Sequence, residues 1–158
     1  MDRYRPNVTV ACVIEAAGQF LFVEETIDGH ATLNQPAGHL EAGESLLQAC
    51  SREVLEETGL QLMPQGLVGI YQFSASPELA FLRFTFYCQL PAPLTGRPQD
   101  KVIKDLHWLS PAQLDNSPLA LRSPLVRKCI EDYLAGKRFS LDLLDSSMLA
   151  IAAEAKAC

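Results

Sequence analysis

Apolar and polar positions divide the chain into short segments of distinct period. Residues 8–15 carry the β-branched Val8, Thr9, Val10, Val13 and Ile14 and read as a strand. Ala16-Ala17-Gly18-Gln19 follows as a turn, with residues 20–23 as the returning strand of a hairpin. Asp28-Gly29 is a second turn signal, and Asn34-Gln35-Pro36-Ala37-Gly38 reads as a tight, irregular segment. A helix is predicted over residues 45–59. Ser45 and Gln48 form its capping box, Leu47, Cys50, Val54 and Leu55 its core-facing stripe, and Gly59 its C-terminal stop. Two strands follow at 66–74 and 79–90, then a loop at 91–100 with three prolines and a glycine, then a short strand at 105–109. Ser110-Pro111-Ala112-Gln113 is a second capping box. Ser123-Pro124 opens a last helix with Leu125, Cys129, Ile130, Tyr133 and Leu134 on its apolar face and Gly136 at its end. After Ser140 the pattern weakens, and the Ala-rich 150–157 reads as a frayed helix or a partner contact. Strands, a central helix, more strands and terminal helices predict an α+β fold on a mixed sheet. We expect a single domain over residues 1–158, with 140–158 as a weakly patterned extension.

Composition narrows the function. With 158 residues, 48% hydrophobic and 20% charged, the chain can bury a real core, which argues against disorder. Thirteen basic against nineteen acidic residues give a net charge of −6, which argues against nucleic acid polymers as partners. Small phosphorylated substrates remain open, because a bound cation can carry their charge. The cysteines, Cys12, Cys50, Cys88, Cys129 and Cys158, are odd in number and lack C-x-x-C spacing, so reduced thiols in the cytoplasm are expected. The first residues lack the apolar core of a signal peptide, and no apolar run reaches the ~18 residues a membrane span needs. A monomer or weak homodimer without membrane partners is the expectation.

The chemistry concentrates in Arg52, Glu53, Glu56 and Glu57. On a helix, Glu53 lies three and four residues from Glu56 and Glu57, so the carboxylates fall to one side and repel by a few tenths of a kcal/mol per pair. A solvated acidic face with an Arg52–Glu56 pair is one reading. A hard divalent cation bound by the carboxylates is the other. The preceding Gly38, Gly43 and Glu44 favour the cation, since a glycine-shaped loop running into such a helix can hold Mg²⁺ against a phosphate.

Residues Gly38 to Leu60 match the pattern G-x5-E-x7-R-E-U-x-E-E-x-G-U, with U a bulky aliphatic, at every defined position. Average residue frequencies put a chance match near ~10⁻⁸ per chain. The chain thus resembles the Nudix hydrolase family. The segments Thr9–Val13, Val23–Thr26, Asn34–Glu41, Phe81–Phe84 and Arg122–Val126 further resemble a branch of bacterial phosphatases in it. The resemblance implies a Nudix α/β/α sandwich with a mixed β-sheet and the Nudix loop–helix. It implies Mg²⁺, with Mn²⁺ as a substitute, bound by Glu53 and Glu57 with Glu56 assisting and the Gly38 carbonyl completing the set. Arg52 would orient a glutamate. Glu44 or Glu53 would be the general base, with Asp100 as an alternative on a later loop or simply a solvated charge there. Gln35, His39 and Arg83 are the expected substrate-binding residues, with lining the turn an equal alternative for His39. Strand alternation sets Arg83 and Thr85 opposite Phe84 and Phe86, toward either solvent or a cleft. His30 and His107 are expected to be structural or exposed. Phe73, Phe81 and Trp108 are expected in the core, with base stacking as the alternative role.

The implied activity is Mg²⁺-dependent hydrolysis of a nucleoside di- or triphosphate, or of the pyrimidine pyrophosphate of a thiamine precursor. Dinucleotides or nucleotide sugars are the alternative substrates. A non-catalytic ligand-binding domain is a further alternative, against which the intact glutamates speak.

Overall fold

The computed structural model describes residues 2–149, so the Ala-rich 150–157 lies outside the described residues. Strand β1 (Asn7–Ala16) is its centre. Residues Val10 to Ile14 are all 0–1% exposed, which explains why the segment reads as a continuous apolar run rather than an alternating one. It pairs in parallel with β6 (Leu79–Leu90) along its whole length, and β5 (Gly66–Ser76) adds antiparallel to the far side of β6.

On its other side β1 divides its partners. The two-residue turn at Ala17 and Gly18, both at positive φ, returns into β2 (Gln19–Ile27), but only Glu15 and Ala16 remain paired to it. The start of β1 pairs instead with the short β4 (Ala37–His39). Strand β2 turns away to pair with β3 (His30–Asn34) and β7 (Asp105–Leu109), and β8 (Ala120–Leu121) closes that edge beside β3. The segment expected to be irregular therefore contains part of a strand, and β3 and β8 are additions that the pattern did not announce.

Alternation along β1 builds two cores. Val10, Cys12 and Ile14 pack with Ala49, Cys50 and Val54 of α1 (Leu46–Thr58), while Val13 packs with Val126, Cys129, Ile130 and Tyr133 of α3 (Pro124–Leu134). The helices thus cover opposite faces, as an α/β/α sandwich requires. A short α2 (Pro111–Asp115) precedes β8, and a 3₁₀ turn spans Leu141–Leu143. Leu134, expected on the inner face of α3, is 58% exposed, and Val126 is buried there instead.

Helix α1 is held at both ends. Ser45 and Gln48 make the reciprocal capping box, and Gly59 adopts φ 72° at the C-cap. The proline-rich loop is more than a connection. Backbone N–H groups of Gln99 and Asp100 donate to the Glu56 carbonyl, and that of Arg97 donates to the Thr58 carbonyl. These bonds satisfy carbonyls that a helix C-terminus would otherwise leave orphaned.

Candidate active site

Helix α1 presents its glutamates to β4 in unequal environments. Glu57 is only 6% exposed and accepts a 2.9 Å hydrogen bond from the Ala37 backbone N–H. Burial pushes its pKa up to about 9; nearby Glu53, Glu25 and Asp100 push the same way, and the Ala37 bond opposes them. Glu53 is half-buried, and its carboxyl is also raised by burial, with Arg52 opposing. It lies directly under Gly38, where a Cβ would overlap its carboxylate, so the residue at 38 must be glycine for the strand to pass this close. Glu56 is the most open of the helical three, at 44% side-chain exposure.

Arg52 ties the group together. Its Nε and Nη2 donate to the two oxygens of Glu44 at 2.9 and 2.8 Å, its Nη1 to Glu53 Oε1 at 2.8 Å and Glu56 at 3.3 Å, and its Nη2 also to the His39 carbonyl at 3.0 Å. Glu44 also accepts from the Glu41 N–H, and its pKa is lowered chiefly by the Arg52 bonds. One planar guanidinium thus fixes the loop to the helix, a task that a lysine point charge could not perform.

A cleft of about 360 Å³ opens beside Glu57 and Gly38, while Glu44, Arg52, Glu53 and Glu56 are not among the residues lining it. Gly38, His39 and Glu57 line one part of it, Arg83 another, and the apolar Phe73, Phe81 and Leu79 a third. Phe73 and Phe81 are cross-strand partners with ring centroids 6.4 Å apart and planes 19° apart. Both are half-buried and line the cleft, which corrects their expected place in the core; Trp108 does pack against the α1 core, with its indole N–H donating to the Leu94 carbonyl. Arg83 faces inward, 6% exposed, with Nη2 donating to Gln35 Oε1 at 2.8 Å. Gln35, expected to bind substrate, is 1% exposed, donates to the Val126 carbonyl and is absent from the cleft lining. Its place beneath Arg83 follows from β3 running straight into the turn before β4.

Glu25, Asn34 and Arg122 also line the cleft and are not among the site residues expected from the sequence. All three fall within segments that carried the resemblance, yet no spacing rule marks them, since β2, β3 and the stretch between β8 and α3 meet only in three dimensions. Burial raises Glu25, with Arg122 opposing. Asp100 is half-buried, is not among the residues lining the cleft, and acts on Glu57 only through its charge.

The donor set beside the cleft is all hard oxygen, and burial disfavours the charged forms of Glu53 and Glu57. That is the setting a divalent cation would relieve, so the residues fit such an ion. Among the described residues, a compact group with ligand atoms all within 4.8 Å occurs elsewhere, at Glu24, Asp105 and His107, where His107 Nε2 lies 2.8 Å from Glu24. Alternation along β2 puts Glu24 on the face opposite Glu25, away from the cleft. His107 is thus half-buried and paired, and His30 is exposed.

No helix among the described residues is long and apolar enough to cross a membrane. The chain is 44% identical over 141 residues to the phosphatase NudJ of Escherichia coli K12, covering 89% of this chain and 92% of that protein. It is 50% identical to a Nudix hydrolase of known structure from Nitrosomonas europaea, with a TM-score of 0.81 and coverage of 89% and 97%. The Nudix domain of Shewanella oneidensis NrtR, solved in complex with ADP ribose, shares the fold at 16% identity with a TM-score of 0.70, covering 84% of this chain and 90% of that one. A NUDIX domain profile matches residues 3–132. With that match and these relatives, the chain belongs to the Nudix hydrolase family, enzymes that act on pyrophosphates.

Proposed function

We propose that this enzyme hydrolyses, with Mg²⁺, a nucleoside di- or triphosphate or the pyrimidine pyrophosphate of a thiamine precursor, in the cytoplasm. The observation that carries the reading is the polarity of the cleft. Carboxylates and Gly38 lie along one part of it, the flat Phe73–Phe81 pair along another, and Arg83 also lines it. A polyphosphate suits the charged parts, and an aromatic ring can stack on the phenylalanines. The four described cysteines are free and buried, which supports a reducing compartment.

In this reading Glu53, Glu57 and Glu56 would hold Mg²⁺, or Mn²⁺ in its place, with the Gly38 carbonyl. The ion would neutralise the anhydride oxygens and make a bound water acidic. The residues themselves divide the remaining work. Arg52 engages Glu53 Oε1, which leaves Oε2 to take the proton of the attacking water in this reading. Glu44, both oxygens engaged by Arg52, positions the loop rather than accepting a proton. His39 and Arg83 border the phosphate path. Water adds to phosphorus as the anhydride P–O bond breaks, and the displaced phosphate leaves with its electron pair.

The test is phosphate release from a panel of nucleoside di- and triphosphates, the pyrimidine pyrophosphate, dinucleotides and nucleotide sugars, with and without Mg²⁺. The expected result is turnover of the first two classes that stops on chelation. Activity that survives exhaustive chelation, or turnover confined to dinucleotides and nucleotide sugars, overturns the reading.

A further inference from the structure

We propose that Arg83, locked by Gln35, is a seat for the phosphate chain of the substrate that works without the metal, so that the substrate anion can bind the metal-free protein. The proposal rests on the reading of the cleft as a polyphosphate site and adds to it a second, cationic anchoring point.

Arg83 is costly where it stands. The residue is 6% exposed, and among the described residues its one hydrogen bond goes to a neutral amide and its Nε has no partner. No carboxylate among the described residues forms an ion pair with it. The ionisable groups that act on it are Tyr71 and Cys129, and burial raises both, so they are neutral and supply no counter-charge. The nearby Asp132 is committed elsewhere, accepting from Tyr71, Lys128 and Lys137. A buried cation with no counterion is destabilising and is expected only where a ligand supplies the opposite charge.

The surroundings hold the guanidinium toward the cleft. Gln35 Nε2 donates to the Val126 carbonyl at 2.7 Å, so its Oε1 must face Arg83. That bond ties β6 to α3 through a residue that never meets the cleft. The sheet register places the seat. Thr9 of β1 pairs with Arg83 on one side and with His39 on the other. Arg83 is therefore two strands, or about 10 Å, from β4. Phe81 lies two residues away on the same face of β6. An anion held by Arg83 would sit between the aromatic pair and the glutamates. Its attraction would offset the repulsion that ionised carboxylates beside the cleft exert on an approaching polyphosphate before a cation is bound.

The probe is inorganic pyrophosphate, titrated calorimetrically into metal-stripped protein. Wild type should bind it, and Arg83→Gln, which removes the charge but keeps a donor for Gln35, should bind at least tenfold more weakly. The metal-free melting temperature of Arg83→Gln should equal or exceed that of wild type, whereas a structural arginine would lower it. Gln35→Met should raise KM severalfold with kcat near wild type, as expected of a residue that positions another. In unmutated protein the Arg83 Nε–H resonance should shift on adding pyrophosphate, a readout independent of how any variant folds. Absence of that shift, no metal-free binding by wild type, or wild-type affinity in Arg83→Gln overturns the seat. If metal-free binding fails while Mg²⁺-dependent hydrolysis persists, the seat is wrong and the functional reading stands. If pyrophosphate binds but no substrate is ever hydrolysed, the reverse holds.

Discussion

Glu57 combines two properties that ordinary surface carboxylates do not share: it is almost fully buried, and its pKa is pushed up to about 9. In the unfolded chain a glutamate titrates near ~4.3. The folded metal-free protein therefore binds the proton more tightly, and the resulting stability is present below the unfolded value and is lost as pH rises toward the folded one. Metal-free wild type should lose stability between about pH 5 and 9. Glu57→Gln should flatten that slope and melt no lower near neutral pH. It should also cut turnover by ~10²-fold or more, because a ligand to a charge-neutralising cation is worth several kcal/mol. Denaturant curves across pH, set beside rates at saturating Mg²⁺, check both; wild-type turnover in the variant would make Glu57 a mere buried acid. The glutamate spacing was legible in the sequence. The burial of Glu57, against the openness of Glu56, was not, because it depends on β4 lying across that one turn.

Among the elements, α1 depends on its ends. Its stop at Gly59 was readable from pattern alone, but the partner at that stop was not. A Cβ at Gly59 would collide with the Arg97 backbone oxygen, in addition to the left-handed φ of 72°. Gly59→Ala should therefore destabilise by more than the ~1–2 kcal/mol of the backbone conformation alone. Ser45→Ala, which removes only a cap, should cost about 1 kcal/mol. Chemical denaturation of the two variants tests that order, and equal costs would mean that the proline-rich loop yields freely. The β5–β6 pair carries a different expectation. Phe73→Leu should raise KM for nucleotide substrates severalfold while leaving hydrolysis of inorganic tripolyphosphate unchanged, since the latter has no ring to stack. Steady-state kinetics on both substrates decides it, and a parallel loss on both would make Phe73 a packing residue.

At the scale of the whole molecule, the net charge of −6 and the absence of a basic run predict no tight, salt-sensitive binding to long RNA, which a shift assay at two salt concentrations checks. Magnesium acts on the same balance. A cation that binds only the folded state should stabilise wild type by about 2.7 kcal/mol at a hundredfold excess over its Kd, and most of that gain should vanish in Glu57→Gln. Melting curves with and without Mg²⁺ measure it.

Local information sufficed wherever a short stretch of chain makes its own structure. The capping box at Ser45, the turn at Ala17 and Gly18, the αL stop at Gly59 and the i, i+3 and i+4 spacing of the glutamates need only near neighbours, and all were readable from residue order. Strands β3 and β8 escaped because strands of five and two residues have little pattern of their own and exist through pairing. The split of β1 between β2 and β4, which brings Gly38 over Glu53, is likewise a long-range event. So is the convergence of Glu25, Asn34, Arg83 and Arg122, drawn from four separate parts of the fold, on one cleft. Sequence spacing can place charges along one helix, but desolvation and the absence of a counterion depend on what packs from elsewhere, and only the folded chain sets those.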